Sequence, residues 1–360
     1  MDKLLLVCLI CASAAFLPMC ESGGGNSGNQ QNSGSVLDDL TDTTSSGADG
    51  VGGVLTDLVL EDFQSADVSE GPDDVGSMSE DVSTAPEACP LNSRVGFFEV
   101  ANWQGYSTVA GEVSEGVIPL TVLQPLEQEG GCWLMRRENP FCDPPCGAGQ
   151  LCDHSSKCIP YPEKKSVGTV TISGLNEPVE MNPDPVNNYY DTTVPYPLFD
   201  PMSPIKLTAT GGQLEGFSLS AVGVATLNVP NVEWTMKKNE PLPLVWEPVT
   251  SGAHIYLSIN VDQHGNSPVT MFCEFDDNGN AEVPSTLVTK LLEYGVSGFA
   301  TADMYRRTLD SITISTGCVE LLVFSHVQGL LQVEGHVPCF IDADCPPGET
   351  CKVEINTCVQ

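Results

Sequence analysis

The sequence predicts a mainly β protein: an antiparallel β-sandwich or jelly-roll-like domain, joined to a small β module and two disulfide-stapled, cysteine-rich cassettes. Three observations predict this class. Short runs of alternating apolar and polar residues recur from Arg94 onwards, separated by Gly, Pro, Asn and Asp. A single stretch, Pro284 to Gly295, carries helical spacing. The chain's 15 cysteines are clustered, and two short stretches hold four each, too small to build an apolar core of their own.

The N-terminus reads as a secretory leader over residues 1–19. Lys3 gives a minimal charged start, and Leu4 to Pro18 form an apolar run too short to span a bilayer. Leu17-Pro18-Met19-Cys20, followed at once by Glu21-Ser22-Gly23-Gly24-Gly25, resembles a bacterial lipobox. That resemblance implies lipidation of Cys20 and attachment to a membrane through the N-terminal lipid. Cleavage after Ala12-Ser13-Ala14 is the alternative, and would leave Cys20 as a free thiol.

Residues 20–88 read as an acidic, disordered tether. From residue 21 on they contain no Lys or Arg but 15 Asp or Glu, with Gly, Ser, Asn and Thr supplying most of the rest. Such a composition buries too little apolar surface to offset the entropy of ordering it. Two apolar patches interrupt it, "SVLDDLTD" (35–42) and "GVLTDLVLED" (53–62). In the second, Val54, Leu55, Leu58 and Val59 share one face of a short helix, which alone would be marginal in water.

Once Cys8 and Cys11 leave with the leader and Cys20 is set aside, twelve cysteines remain: Cys89, Cys132, Cys142, Cys146, Cys152, Cys158, Cys273, Cys318, Cys339, Cys345, Cys351 and Cys358. An even number in an exported chain predicts a disulfide framework. Residues 89–141 are expected to form the small β module, with runs at "RVGFFEV" and "GCWLMRR" and closure by Cys89–Cys132.

The first cassette spans 142–162 and the second 338–360. Cys146-Gly-Ala-Gly149-Gln-Leu-Cys152 and Cys345-Pro-Pro-Gly348-Glu-Thr-Cys351 share the pattern C-x-x-G-x-x-C, and each continues to a fourth cysteine. The central glycine permits the positive φ of a tight reversal. Zinc would favour paired C-x2-C knuckles and a redox site C-x-x-C; neither occurs in the cassettes, and the one such spacing, Cys8 to Cys11, lies in the apolar leader. His154 reads as a solvent-facing loop residue.

The largest unit, 163–337, is the expected sandwich. Val170 and Ile172 alternate with Thr169, Thr171 and Ser173, and "IKLTAT" (205–210) behaves likewise. In 253–262, Ala253, Ile255, Leu257, Ile259 and Val261 face one way, while His254, Tyr256, Ser258, Asn260 and Asp262 face the other. "VTMFCEF", then Asn278-Gly279, then "AEVP" predicts a hairpin. Leu287, Val288, Leu291 and Leu292 give the helix its apolar face, and Gly295 stops it. "SITIST" and "CVELLVFSH" return to strand, and Cys273 and Cys318 are expected to link strands across the sandwich.

Charge and motifs narrow the function classes. The formal net charge is −34, and residues 89–360 carry −19 of it, which excludes a nucleic-acid partner that needs basic surface for phosphates. Neither G-x-S-x-G nor H-E-x-x-H occurs. Asp262 and His264 lie close in sequence without a serine in a nucleophile's context. "DDNGN" (276–280) lacks the alternating ligands and closing Glu of an EF-hand and reads as a turn. Trp103, Tyr106, Tyr189, Tyr190, Tyr196, Trp234 and Tyr256 are candidates for stacking on a sugar or for the core, whereas Trp246 in "LPLVW" reads as core. No catalytic residue, metal ligand or cofactor is expected. The expected role is non-enzymatic binding, adhesion or envelope structure with an unidentified protein or glycan partner, the alternatives being a carbohydrate- or Ca2+-binding module and, further off, a secreted hydrolase.

Two resemblances add to this. Cys339, Cys345 and Cys351 follow the C-x5-C-x5-C pattern of Dickkopf N-terminal domains, with Asp342 and Asp344 at acidic positions between the first two. This implies a small stapled fold. The ordered run "RRENPFCDPPCGAGQLC", "CIPYP", "VGTVTISGL", "LVWEP" and "CFIDADCPPGETC" resembles a family of uncharacterised cysteine-rich lipoproteins of myxobacterial type. It implies a lipid-anchored protein of the bacterial cell envelope, in the outer membrane or at the cell surface, and brings no catalytic residues with it.

Overall fold

Alternating burial follows the sequence pattern in the strands Ser107–Val113, Pro204–Ala209 and Phe217–Val222. The structure, a computed structural model, describes residues 88–249, 252–262 and 268–360. The leader at 1–19, Cys20, the acidic stretch to residue 87 and His264 lie outside the described residues.

The chain opens with β1 (Arg94–Asn102), β2 (Ser107–Val113), β3 (Leu123–Glu129) and β4 (Cys132–Arg137). The first cassette contributes β5 (Gln150–Cys152) and β6 (Cys158–Pro160). There follow β7 (Val170–Ser173), β8 (Val179–Met181), β9 (Asn188–Asp191), β10 (Pro204–Ala209) and β11 (Phe217–Val222). Next come β12 (Glu233–Met236), β13 (Leu242–Val245), β14 (His254–Asn260), β15 (Val269–Asp276) and β16 (Asn280–Val283). The helix α1 (Ser285–Glu293) leads to a long hairpin, β17 (Thr301–Ile314) and β18 (Gly317–Val333). The second cassette ends the chain with β19 (Thr350–Lys352) and β20 (Thr357–Val359).

Ten strands form one large sheet in the order β3-β4-β15-β14-β17-β18-β1-β2-β9, with β12 also on β18. A four-stranded sheet, β11-β10-β7-β8, packs over one half of its inner face. Phe98, Val100 and Val109 meet Ile172, Leu207 and Leu219 there. The other half is covered by the β13–β16 pair and α1, where Leu244, Val283, Leu287 and Leu291 meet Leu257, Met271 and Met304. This is the expected β-sandwich. Its pairings are antiparallel except at β18, whose first half runs parallel to β1 and whose last residues run parallel to β12. The helix also forms as expected, with Leu287, Val288 and Leu291 buried and Gly295 at φ +118°.

Arg306 sits on the same inner side, fully buried, where the two covering layers meet. Its Nε and Nη2 donate to Asp277 at 2.7 and 3.0 Å, and its remaining donors reach the carbonyls of Thr226 and Glu247. This network explains a departure from expectation. The strands around Asn278-Gly279 do not pair with each other: β15 pairs with β14 and β4, and β16 pairs with β13. Asp277 is drawn inward by Arg306 and by the Trp246 indole N–H, 2.8 Å away, so the turn carries the chain from one layer to the next.

The small β module expected at 89–141 is not separate from the 163–337 unit. β1 lies against β18, and β4 against β15, so both stretches build one sheet. The two expected bridges change accordingly. Cys132 stands directly opposite Cys273 in the β4–β15 register and bonds to it, and Cys89 bonds to Cys318. Neither Cys89–Cys132 nor Cys273–Cys318 forms, because sheet register rather than closeness in sequence brings the sulfurs together.

The cassettes share one connectivity, first cysteine to third and second to fourth: Cys142–Cys152 with Cys146–Cys158, and Cys339–Cys351 with Cys345–Cys358. In each, the third and fourth cysteines face each other across a two-stranded ladder. Gly149 and Gly348 both have positive φ, as the shared pattern predicts. Among the described residues, no helix is long and apolar enough to cross a membrane.

Candidate functional site

The outer face of the large sheet is also covered, and it holds the chain's most unusual chemistry. Tyr256, Phe272, Tyr305, Leu322 and Phe324 form a third apolar cluster there, with Leu91, Val122 and Leu123 lying over it. Tyr256 thus faces away from Ile255 and Leu257, as the alternation predicts, yet it is buried.

Charged groups are threaded into this cluster. The Glu320 carboxylate accepts the Cys89 N–H at 2.5 Å and lies 3.5 Å from Arg94. Burial raises its pKa, opposed first by Arg94. Arg307 lies over the Tyr256 ring, 4.1 Å from its centroid, and donates to Glu274 at 3.1 Å. Glu99 is pushed up to about 8, chiefly by burial; Arg94 pulls the other way and Glu112 adds to the rise. Burial likewise lifts the Tyr305 phenol well above its ordinary value. Such displaced groups cluster at functional sites in many proteins, though structural ion pairs produce them too.

Where this cluster opens to solvent, a cleft of about 480 Å³ lies between the sheet and the first cassette. Its floor and walls are Leu91, Leu123, Trp133, Met135 and Ile159. Asn92, Gln124, Asp153, His154 and Ser155 supply polar groups at its rim. Three of these come from the cassette turn between β5 and β6, which is held in two ways. Asp153 Oδ1 accepts the Ser155 N–H, the Ser155 hydroxyl and the Lys157 N–H, at 2.8–2.9 Å. His154 Nε2 meets the Pro119 carbonyl at 2.9 Å, so the residue read as simply solvent-facing latches the cassette to the β2–β3 connection.

The other sequence candidates fall elsewhere. Sulfurs of Cys142, Cys146 and Cys152 lie within 4.8 Å of one another, as do those of Cys339, Cys345 and Cys351, but every one is a half-cystine rather than a thiolate. Asp262 is buried and bonded by the Ser297 hydroxyl. Of the aromatic candidates, Tyr189, Trp234 and Tyr256 are core, as is Trp246, while Tyr106, Tyr190 and Tyr196 are exposed. Tyr106 stacks on Trp103, whose ring also meets His326, and His326 Nε2 lies 2.9 Å from Asp303. The cleft and the His326–Asp303 pair were both missed in the sequence. Cys152, Asp153 and His154 are adjacent in it, but nothing there places Trp133 opposite.

No protein-family model matches the chain, and no curated protein does. Among solved structures, the FN1–FN3 domains of chicken CNTN1 align over 61% of this chain and 69% of their own, at 9% identity and a TM-score of 0.16. Murine CEACAM1b aligns over 66% of this chain and 99% of its own, at 12% identity and a TM-score of 0.13. At these scores the alignments do not amount to a common arrangement of strands.

Proposed function

We propose that the protein is a non-enzymatic binding protein of the bacterial cell envelope, held to the outer membrane by lipid on Cys20. Its stapled β domain stands at the end of the acidic tether and serves adhesion, recognition or envelope structure through a protein or glycan partner. The observation that supports this best is the cysteine pairing. All twelve cysteines from Cys89 onward close on one another in six bridges. Beyond the apolar leader, Cys20 is left outside that set, as a lipid-bearing residue would be. Six bridges also suit an oxidising, extracytoplasmic compartment. Exposed Tyr106, stacked on Trp103 beside His326 and Asp303, favours a glycan over a protein at the β1–β2 turn.

The anchor is tested by Cys20→Ala in cells fed labelled palmitate. The native chain is expected to incorporate label and sediment with membranes, and the variant to do neither. A variant that still labels and sediments would remove the anchor.

A further inference from the structure

The cleft under the first cassette has the size of a small-molecule site, and its chemistry is one-sided. Its volume of about 480 Å³ falls within the range of pockets that enclose drug-sized ligands. The walls are aliphatic save for the half-buried ring of Trp133. Among the lining residues, Asp153 is the one carboxylate, and neither Lys nor Arg lines the cleft. Hydrogen bonds from the Lys157 N–H, then the Ser155 hydroxyl, hold the Asp153 carboxyl below its usual range, so it stays ionised. The same bonds fix its orientation at the rim. His154 Nε2 is already committed to Pro119, and the bridge Cys142–Cys152 ends next to Asp153, so the roof is in place before anything binds.

We propose that this cleft binds a hydrophobic amine, its apolar body against Leu91, Leu123, Trp133 and Met135 and its ammonium group at Asp153. The apolar walls select a body that water rejects. The carboxylate favours a cation at the rim. The −19 carried by residues 89–360 raises the local concentration of cations around the domain. The same charges disfavour two other occupants. A fatty acid would bring its carboxylate to Asp153. The chain's own apolar patch at 53–62 comes from a stretch with 15 acidic residues and no basic ones.

The test is calorimetry on the full chain carrying Cys20→Ala, which needs no detergent and is independent of the lipid anchor. A failed anchor assignment and an empty cleft therefore give different results. The probes are decylammonium, decanol and decanoate, which share a body and differ in charge. Decylammonium is expected to bind one-to-one and about tenfold more tightly than decanol, the equivalent of one charge-assisted hydrogen bond. Decanoate is expected to bind weakest. Asp153→Asn keeps an acceptor for Ser155 and Lys157 and removes the charge, so decylammonium should fall to the level of decanol. Asn92→Trp, at the exposed rim of the cleft, should abolish binding of both probes. Equal affinity for all three probes, or decylammonium binding untouched by both substitutions, would overturn the proposal. So would tighter binding of decanoate or of a peptide spanning 53–62.

Discussion

At the scale of single residues, the outer face of the sheet stores ionisable groups in an apolar setting, and Glu99 shows the consequence. Its carboxyl titrates near 8 in the folded chain, against 4.5 for the unburied group, so folding favours its protonated form. Stability from this group is therefore complete below about pH 4.5 and is withdrawn as pH climbs through about 8. Glu99→Gln removes the ionisation. Urea unfolding at about pH 5 and about pH 9 should show the native chain losing more stability on that rise than the variant, by roughly 1.4 kcal/mol for each unit of displaced pKa. An equal loss in both would place the titration elsewhere. Sequence periodicity put Tyr256 on this face correctly. It could not show that the face is covered, because the covering residues Leu91 and Val122 belong to connections without a repeat of their own.

At the scale of elements, β18 organises the sheet. It pairs with β17 along its length on one edge and receives β1 and then β12 on the other. Gly329 marks the passage to β12, where a Cβ would come within 1.9 Å of the Trp234 ring. Gly329→Ala should therefore cost about 1–3 kcal/mol, read as a lowered urea midpoint, since the indole has to leave its packed position. The strands themselves were legible wherever one face is apolar: "IKLTAT" alternates as it is buried, and the apolar side of 253–262 is buried as its spacing predicts. Their partners were not. Asn278-Gly279 has the chemistry of a hairpin turn, and a buried arginine 28 residues later redirects it. The parallel match of β1 with β18 joins segments more than two hundred residues apart, and alternation contains no record of it.

At the scale of the whole molecule, the bridges divide into two kinds. Four close loops of 10–13 residues inside the cassettes, and two tie distant parts of the large sheet, over 229 residues for Cys89–Cys318 and 141 for Cys132–Cys273. Replacing Cys89 and Cys318 together by Ser should lower stability by about 2–5 kcal/mol under non-reducing conditions. Thermal unfolding followed by circular dichroism would measure it, and an unchanged midpoint would show that the pair adds nothing. The even cysteine count and its clustering were readable from composition, and so was the shared cassette pattern. The long-range pairings follow from sheet register, and only the assembled sheet supplies it.

The placement of β1 has a consequence for the order in which the chain can be completed. Strand β1 appears first among the described strands, yet its neighbours are β2 and the far later β18. Whatever compartment receives the chain, its leading strand has to wait with one edge open until the last long hairpin arrives. An open strand edge invites pairing with other chains. Maturation therefore depends on delivery of the C-terminal third, and a chain truncated before Gly317 is left with β1 paired to β2 alone and an unbonded Cys89.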